Sequence, residues 1–119
     1  MIQYEFDEIT FDSGSKTLII KTKNREKYLV ATFLMSDIQG GDPSYALDKF
    51  EAVLDGRLDY AELNGNVCGV EIHKDKTQIY DNLADDGKGD WCEVNTKDLR
   101  DLIVIWAARI KKYREKNPN

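Results

Sequence analysis

Apolar residues at Leu99, Leu102, Ile103, Trp106, Ile110 and Tyr113 recur at the three-and-four spacing of one helical face, and they predict an amphipathic helix over residues 95–114. Asn95 or Thr96 caps its start. Asp98 falls in the first turn and Lys111, Lys112 and Arg114 in the last, the charge order that the helix dipole favours. A second helix is predicted over Ser44–Leu54, with Leu47, Phe50, Val53 and Leu54 on one face. Asp42-Pro43 suits its entrance, and Gly56 is its stop. Within the last helix, Ile105 is expected to be buried against neighbouring strands. Val104 points away from Ile103 and Trp106, towards either burial or another chain.

Elsewhere the period is two. Ile2, Tyr4 and Phe6 alternate with polar residues, and Ile9 and Phe11 repeat the pattern, with room for a bend at Asp7-Glu8. The turn-forming run Asp12-Ser13-Gly14-Ser15 leads to a returning strand over Thr17–Thr22. The continuously apolar run Lys27–Met35 reads as a third strand, central and covered on both faces. Leu58 and Tyr60 share a strand face, and Asn64-Gly65 gives a strong hairpin signal before the return strand Val67–His73, where Cys68, Val70 and Ile72 face one way. Thr77–Asp81 and Trp91–Val94 complete the set. The order β-β-β-α-β-β-β-β-α predicts an α+β fold: one antiparallel sheet of about six or seven strands with two amphipathic helices packed on one face. No repeat or linker interrupts it, so residues 1–119 read as a single domain.

Charge narrows the range of partners. Net charge is −5 and the sequence pI about 4.9. An acidic balance argues against nucleic acid and anionic membrane, both densely negative, and suits a basic partner or plain solubility. The N-terminal stretch MIQYEFDEI carries acids where an export signal needs a basic patch and an apolar run. The longest apolar run, Leu102–Ala108, is too short to span a bilayer. Cys68 and Cys92 make no disulfide framework and read as reduced thiols, so the expected location is the cytoplasm.

Candidate chemistry is sparse. One histidine, His73, and two distant cysteines give no zinc-site spacing, and glycine-rich phosphate loops are absent. A calcium-loop register starting at Asn82 places Asp86 fifth, Gly87 sixth, Asp90 ninth and Glu93 twelfth. It fails at the third ligand position, which is Ala84. No metal, cofactor or catalytic residue is therefore expected. The densest charge lies between Asp81 and Glu93. There Asp81, Asp85, Asp86, Asp90 and Glu93, with Trp91 among them, make either a solvated turn or a recognition surface for a basic protein.

The segments GRLDYAELNGNVCGVEIHKDKTQIYDN and WCEVNTKDLRDLIVIWAARIKKY, within residues 56–114, resemble a small bacterial immunity protein of a polymorphic-toxin or contact-dependent inhibition system. The likeness lies in layout: a small acidic α+β domain with short strands, then a threonine-plus-acid cap opening a Leu/Ile/Trp helix. It implies that this chain is not an enzyme and that its partner is a cognate protein toxin whose active site it blocks. Many such toxins are basic nucleases, which an acidic inhibitor complements. No motif matches residue by residue, so the partner-binding set Asp81, Asp85, Asp86, Asp90, Trp91 and Glu93 rests on charge and expected exposure alone. Two alternatives remain: a homodimeric adaptor using a sheet edge or the Val104 side, and a small hydrolase using carboxylates and His73.

Overall fold

A computed structural model describes residues 2–24, 27–39, 42–65, 67–81 and 90–117. The element order is β1 (Tyr4–Thr10), β2 (Lys16–Thr22), α1 (Tyr28–Asp37), α2 (Ser44–Leu54), β3 (Tyr60–Asn64), β4 (Cys68–His73), β5 (Lys76–Asp81), β6 (Trp91–Asn95) and α3 (Thr96–Lys116). The α+β class stands, but two features differ from the predicted layout. The strand expected over Lys27–Met35 is α1. The expected single sheet is two antiparallel sheets, β1-β2 and β3-β4-β5-β6, accompanied by three helices instead of two.

Both differences have one cause. Leu29, Val30, Ala31, Phe33 and Leu34 of α1 are all buried, leaving only a narrow, partly exposed stripe at Tyr28, Thr32 and Ser36. It packs against β2 on one side and against β4, β5 and β6 on the other. A short helix that is apolar on all but one narrow stripe has no clear period that separates it from a buried strand. The segment is central and mostly buried, as its apolar run implies, but its backbone is helical and one narrow side meets solvent. With a helix in that position, the β1-β2 hairpin cannot pair with the remaining strands.

The hairpin register runs unbroken from Tyr4↔Thr22 to Thr10↔Lys16, without a bulge at Asp7-Glu8. Leu18 and Ile20 enter the core. Phe6 stacks on Trp106 of α3 with ring centroids 6.2 Å apart, and the Trp106 indole N–H donates to the Ile38 carbonyl at 2.6 Å. The far half of the hairpin extends past the core, leaving Ile9 and Phe11 exposed.

Both predicted helices form, but α2 begins after Pro43, which takes the cap position expected of Asp42 and provides no side-chain cap. In α3, the Asn95 side chain accepts from the Asp98 N–H at 3.0 Å, and Leu99, Leu102, Ile103, Trp106 and Ile110 are buried. Val104 and Ile105 lie on the opposite side and are both exposed, contrary to the burial expected for Ile105, because no strand reaches that face of the helix. Gly56 ends α2 with φ +87°, the left-handed conformation that glycine adopts without penalty. Among the described residues, no helix is long and apolar enough to cross a membrane.

Candidate partner-binding face

Strand alternation gives the four-stranded sheet two unlike faces. Ala61, Leu63, Cys68, Val70, Ile72, Thr77, Ile79, Cys92 and Val94 point inward to the helices and are buried. The other face bears the alternate residues, arranged by the registers into three cross-strand rows. Tyr60 pairs with His73, and Lys76 with Asn95, the two pairs meeting across the Lys74–Asp75 turn. Glu62, Glu71, Gln78 and Glu93 form the middle row. Asn64, Gly69, Tyr80 and Trp91 form the third.

The middle row is held by hydrogen bonds of its own. The Gln78 amide donates to Glu93 Oε2 at 3.3 Å. The Tyr80 hydroxyl donates to Glu71 and lies 2.5 Å from Gln78 Oε1. The bond to Glu71, with burial adding to it, pushes the Tyr80 phenol up to about 12. Beside this network lies an open hollow of about 380 Å³ lined by Glu62, Asn64, Gly69, Glu71 and Tyr80. Trp91 is 58% exposed and Tyr60 39% exposed; Tyr60 rests on His73 with ring centroids 5.1 Å apart.

The described members of the charged segment divide between the two sides. Trp91 and Glu93 lie on the outer face. Asp81 and Asp90 sit at the other side of the sheet end, where the Asp81 N–H donates to the Asp90 carbonyl at 2.9 Å. The Asp90 carboxylate accepts from the Tyr28 hydroxyl of α1 at 2.5 Å, which with burial lifts that phenol to about 12. Asp85 and Asp86 lie outside the described residues. The sequence reading missed Glu62, Glu71, Gln78 and Tyr80. Their signal was present in the alternation YAELN and CGVEIH, which puts Glu62 and Glu71 on the polar side of a hairpin. Only the pairing places them beside Glu93.

Thiol chemistry with His73 finds no geometry here. His73 is on the exposed face, whereas Cys68 and Cys92 point into the core. Burial, with the Asp37 and Asp81 carboxylates adding to it, pushes the Cys68 thiol up to about 12, and burial raises Cys92 too. A thiol held protonated is a poor nucleophile. Among the described residues, no three His, Cys, Asp or Glu side chains converge as metal ligands.

No family model matches the chain, and no solved structure matches it. A protein of Bacillus cereus named "Immunity protein" is 40% identical over 113 residues, a stretch covering 94% of this chain and 91% of that relative. Identity of that degree along nearly the whole of both chains is shared ancestry and shared fold, and this chain therefore belongs to the bacterial family of that small immunity protein.

Proposed function

We propose that this protein is an immunity protein that binds a cognate protein toxin and neutralises it by covering it, without catalysing a reaction. The observation that carries the reading is the end-to-end relationship to the Bacillus cereus immunity protein. The net charge of −5 supports a basic toxin, a nuclease domain being the natural candidate, because such a domain must itself attract phosphate and would be steered to an acidic inhibitor. The proposed contact set is Asp81, Asp85, Asp86, Asp90, Trp91 and Glu93. Trp91 has the side chain for an anchor, large and more than half exposed beside a carboxylate.

The test is growth rescue. The reading frames that flank this gene are searched for a toxin domain, which is induced in a heterologous host with and without this chain, and the purified pair is assayed for a stable complex. The expected result is arrested growth restored by this chain at a one-to-one ratio, with the toxin intact in the complex. Chemical modification or cleavage of the toxin by catalytic amounts of this chain would overturn the non-enzymatic reading. Failure to bind or rescue would overturn the immunity reading itself.

A further inference from the structure

Of the proposed contact set, Trp91 and Glu93 lie on the outer face of the four-stranded sheet, where strand pairing sets them beside acids distant in sequence. We propose that the outer face of the four-stranded sheet, centred on Glu62, Glu71 and Glu93 and flanked by Tyr60 and Trp91, is the surface on which a basic protein docks. The inference rests on the immunity reading and locates its contact.

Four observations converge on that face. First, all three helices pack against the opposite side of the sheet, and the β1-β2 hairpin packs on α1 and α3, so no described element covers it. Second, it exposes aromatic rings that an isolated domain gains nothing by exposing: Trp91 at 58% and Tyr60 at 39%. Third, Glu62 stands directly opposite Glu71, a like-charge cross-strand pair that weakens the sheet. Among the described residues, no ion pair neutralises Glu62, Glu71 or Glu93. Fourth, two of the three carboxylates are held before any partner arrives, since Gln78 bonds Glu93 and Tyr80 bonds Glu71. Carboxylates without an ion pair among the described residues favour a partner that supplies the cations.

The chemistry selects the occupant. Carboxylates spaced along one row between exposed rings suit arginine and lysine side chains, whose stems lie on the aromatics and whose heads meet the acids. Nucleic acid is repelled by the same charge, and a second copy of this chain would set acid against acid. A basic protein surface is the occupant that fits, and the toxin domain of the proposed function is the one to use.

Glu62→Lys makes the discriminating variant. It turns the clash with Glu71 into an opposite-charge pair, so the isolated protein should melt at a higher temperature while its affinity for the toxin domain falls. A residue with only a structural role would move both in the same direction. The comparison variant Asp12→Lys makes the same charge change at the exposed tip of the β1-β2 hairpin. Binding is measured with purified toxin domain, inactivated at its own active site, by calorimetry or interferometry. Expected are a loss of about thirty-fold or more for Glu62→Lys and for Trp91→Ala, and less than about three-fold for Asp12→Lys. Wild-type affinity in Glu62→Lys and Trp91→Ala, with loss in Asp85→Lys/Asp86→Lys, would overturn this placement and leave the immunity reading standing. Equal losses in Glu62→Lys and Asp12→Lys would also overturn it, since global charge alone would then account for the effect. Absence of binding by the unaltered protein would remove the immunity reading instead.

Discussion

At the end of α1, one carboxylate holds a turn from outside. Asp37 accepts from the Val67 N–H at 3.3 Å and the Cys68 N–H at 3.2 Å, pinning the β3–β4 connection to the helix. Gly65 makes room for it, because a Cβ there would lie 2.3 Å from the Asp37 carboxylate. Asp37→Ala should leave backbone donors unpaired and cost about 1–3 kcal/mol, read from the midpoint of urea unfolding; an unchanged midpoint would remove Asp37 from this role. A second device sits at the start of α3. Thr77 and Thr96 are fully buried, their hydroxyls are 2.8 Å apart, and Thr96 Oγ1 donates to the His73 carbonyl at 2.5 Å. Thr96 has one proton and spends it there, so Thr77 donates to Thr96. The two valine variants are therefore unequal. Thr96→Val strands both the His73 carbonyl and the Thr77 hydroxyl and should cost about 1–3 kcal/mol, whereas Thr77→Val leaves Thr96 its own bond and should cost about half that or less. Thermal melts of the pair check the order. Sequence alone left the cap of α3 between Asn95 and Thr96. Asn95 takes it because Thr96 is turned inward to the strands.

Among elements, α1 and α3 owe their helicity to different sources. The 21-residue α3 has a side-chain cap, an acid in its first turn, bases in its last, and a Lys97–Asp101 pair one turn apart at 3.0 Å. The 10-residue α1 has no side-chain cap, no acid in its first turn and no base in its last. Its stability comes from burial between the two sheets, and a helix that short is marginal by itself in water. A synthetic peptide spanning residues 27–39 should accordingly show no helical circular dichroism in buffer, while the same residues are helical in the intact chain; a helical peptide would mean that local propensity suffices. The same physics explains why α3 was read correctly from its pattern and α1 was not. Local signals write α3, and tertiary burial writes α1.

For the whole molecule, the core cysteines report on global opening. Cys68 and Cys92 are buried on the helix-facing side of the sheet, and both thiols are held above their ordinary value of 9.0 by burial, Cys68 up to about 12. At about pH 8 a thiol reagent should label neither in the native protein and both in denaturant, at a rate limited by unfolding. Rapid native labelling would mean that the sheet and helices separate easily. The sign of the pH dependence follows. A pKa raised in the folded state favours the protonated form, so the contribution of Cys68 is complete below about pH 9 and is lost as pH climbs towards about 12. Tyr28 and Tyr80, held up to about 12 mainly by Asp90 and Glu71, add to the same alkaline loss above about pH 10. Stability should therefore fall across that window, as urea midpoints taken from pH 8 to 11 would register.

The sequence by itself determined the elements whose stabilising contacts are local. The stripe of α3, the Gly56 stop after α2 and the alternation that turns Cys68, Val70 and Ile72 to one side are set by neighbours a few residues away. It also set the net acidity; that Trp91 is exposed was decided by the strand's place at the sheet edge. Only the tertiary structure decided what depends on which faces become covered. Enclosure between two sheets made residues 28–37 a helix, and that helix split the strands into a pair and a group of four. Packing of the helices on one side left the other side uncovered among the described residues, and register then aligned Glu62 and Glu71 with Glu93, more than twenty residues further along the chain. Periodicity records that a strand has an apolar and a polar side; which polar sides stand together follows from pairing between distant segments, which no local pattern encodes.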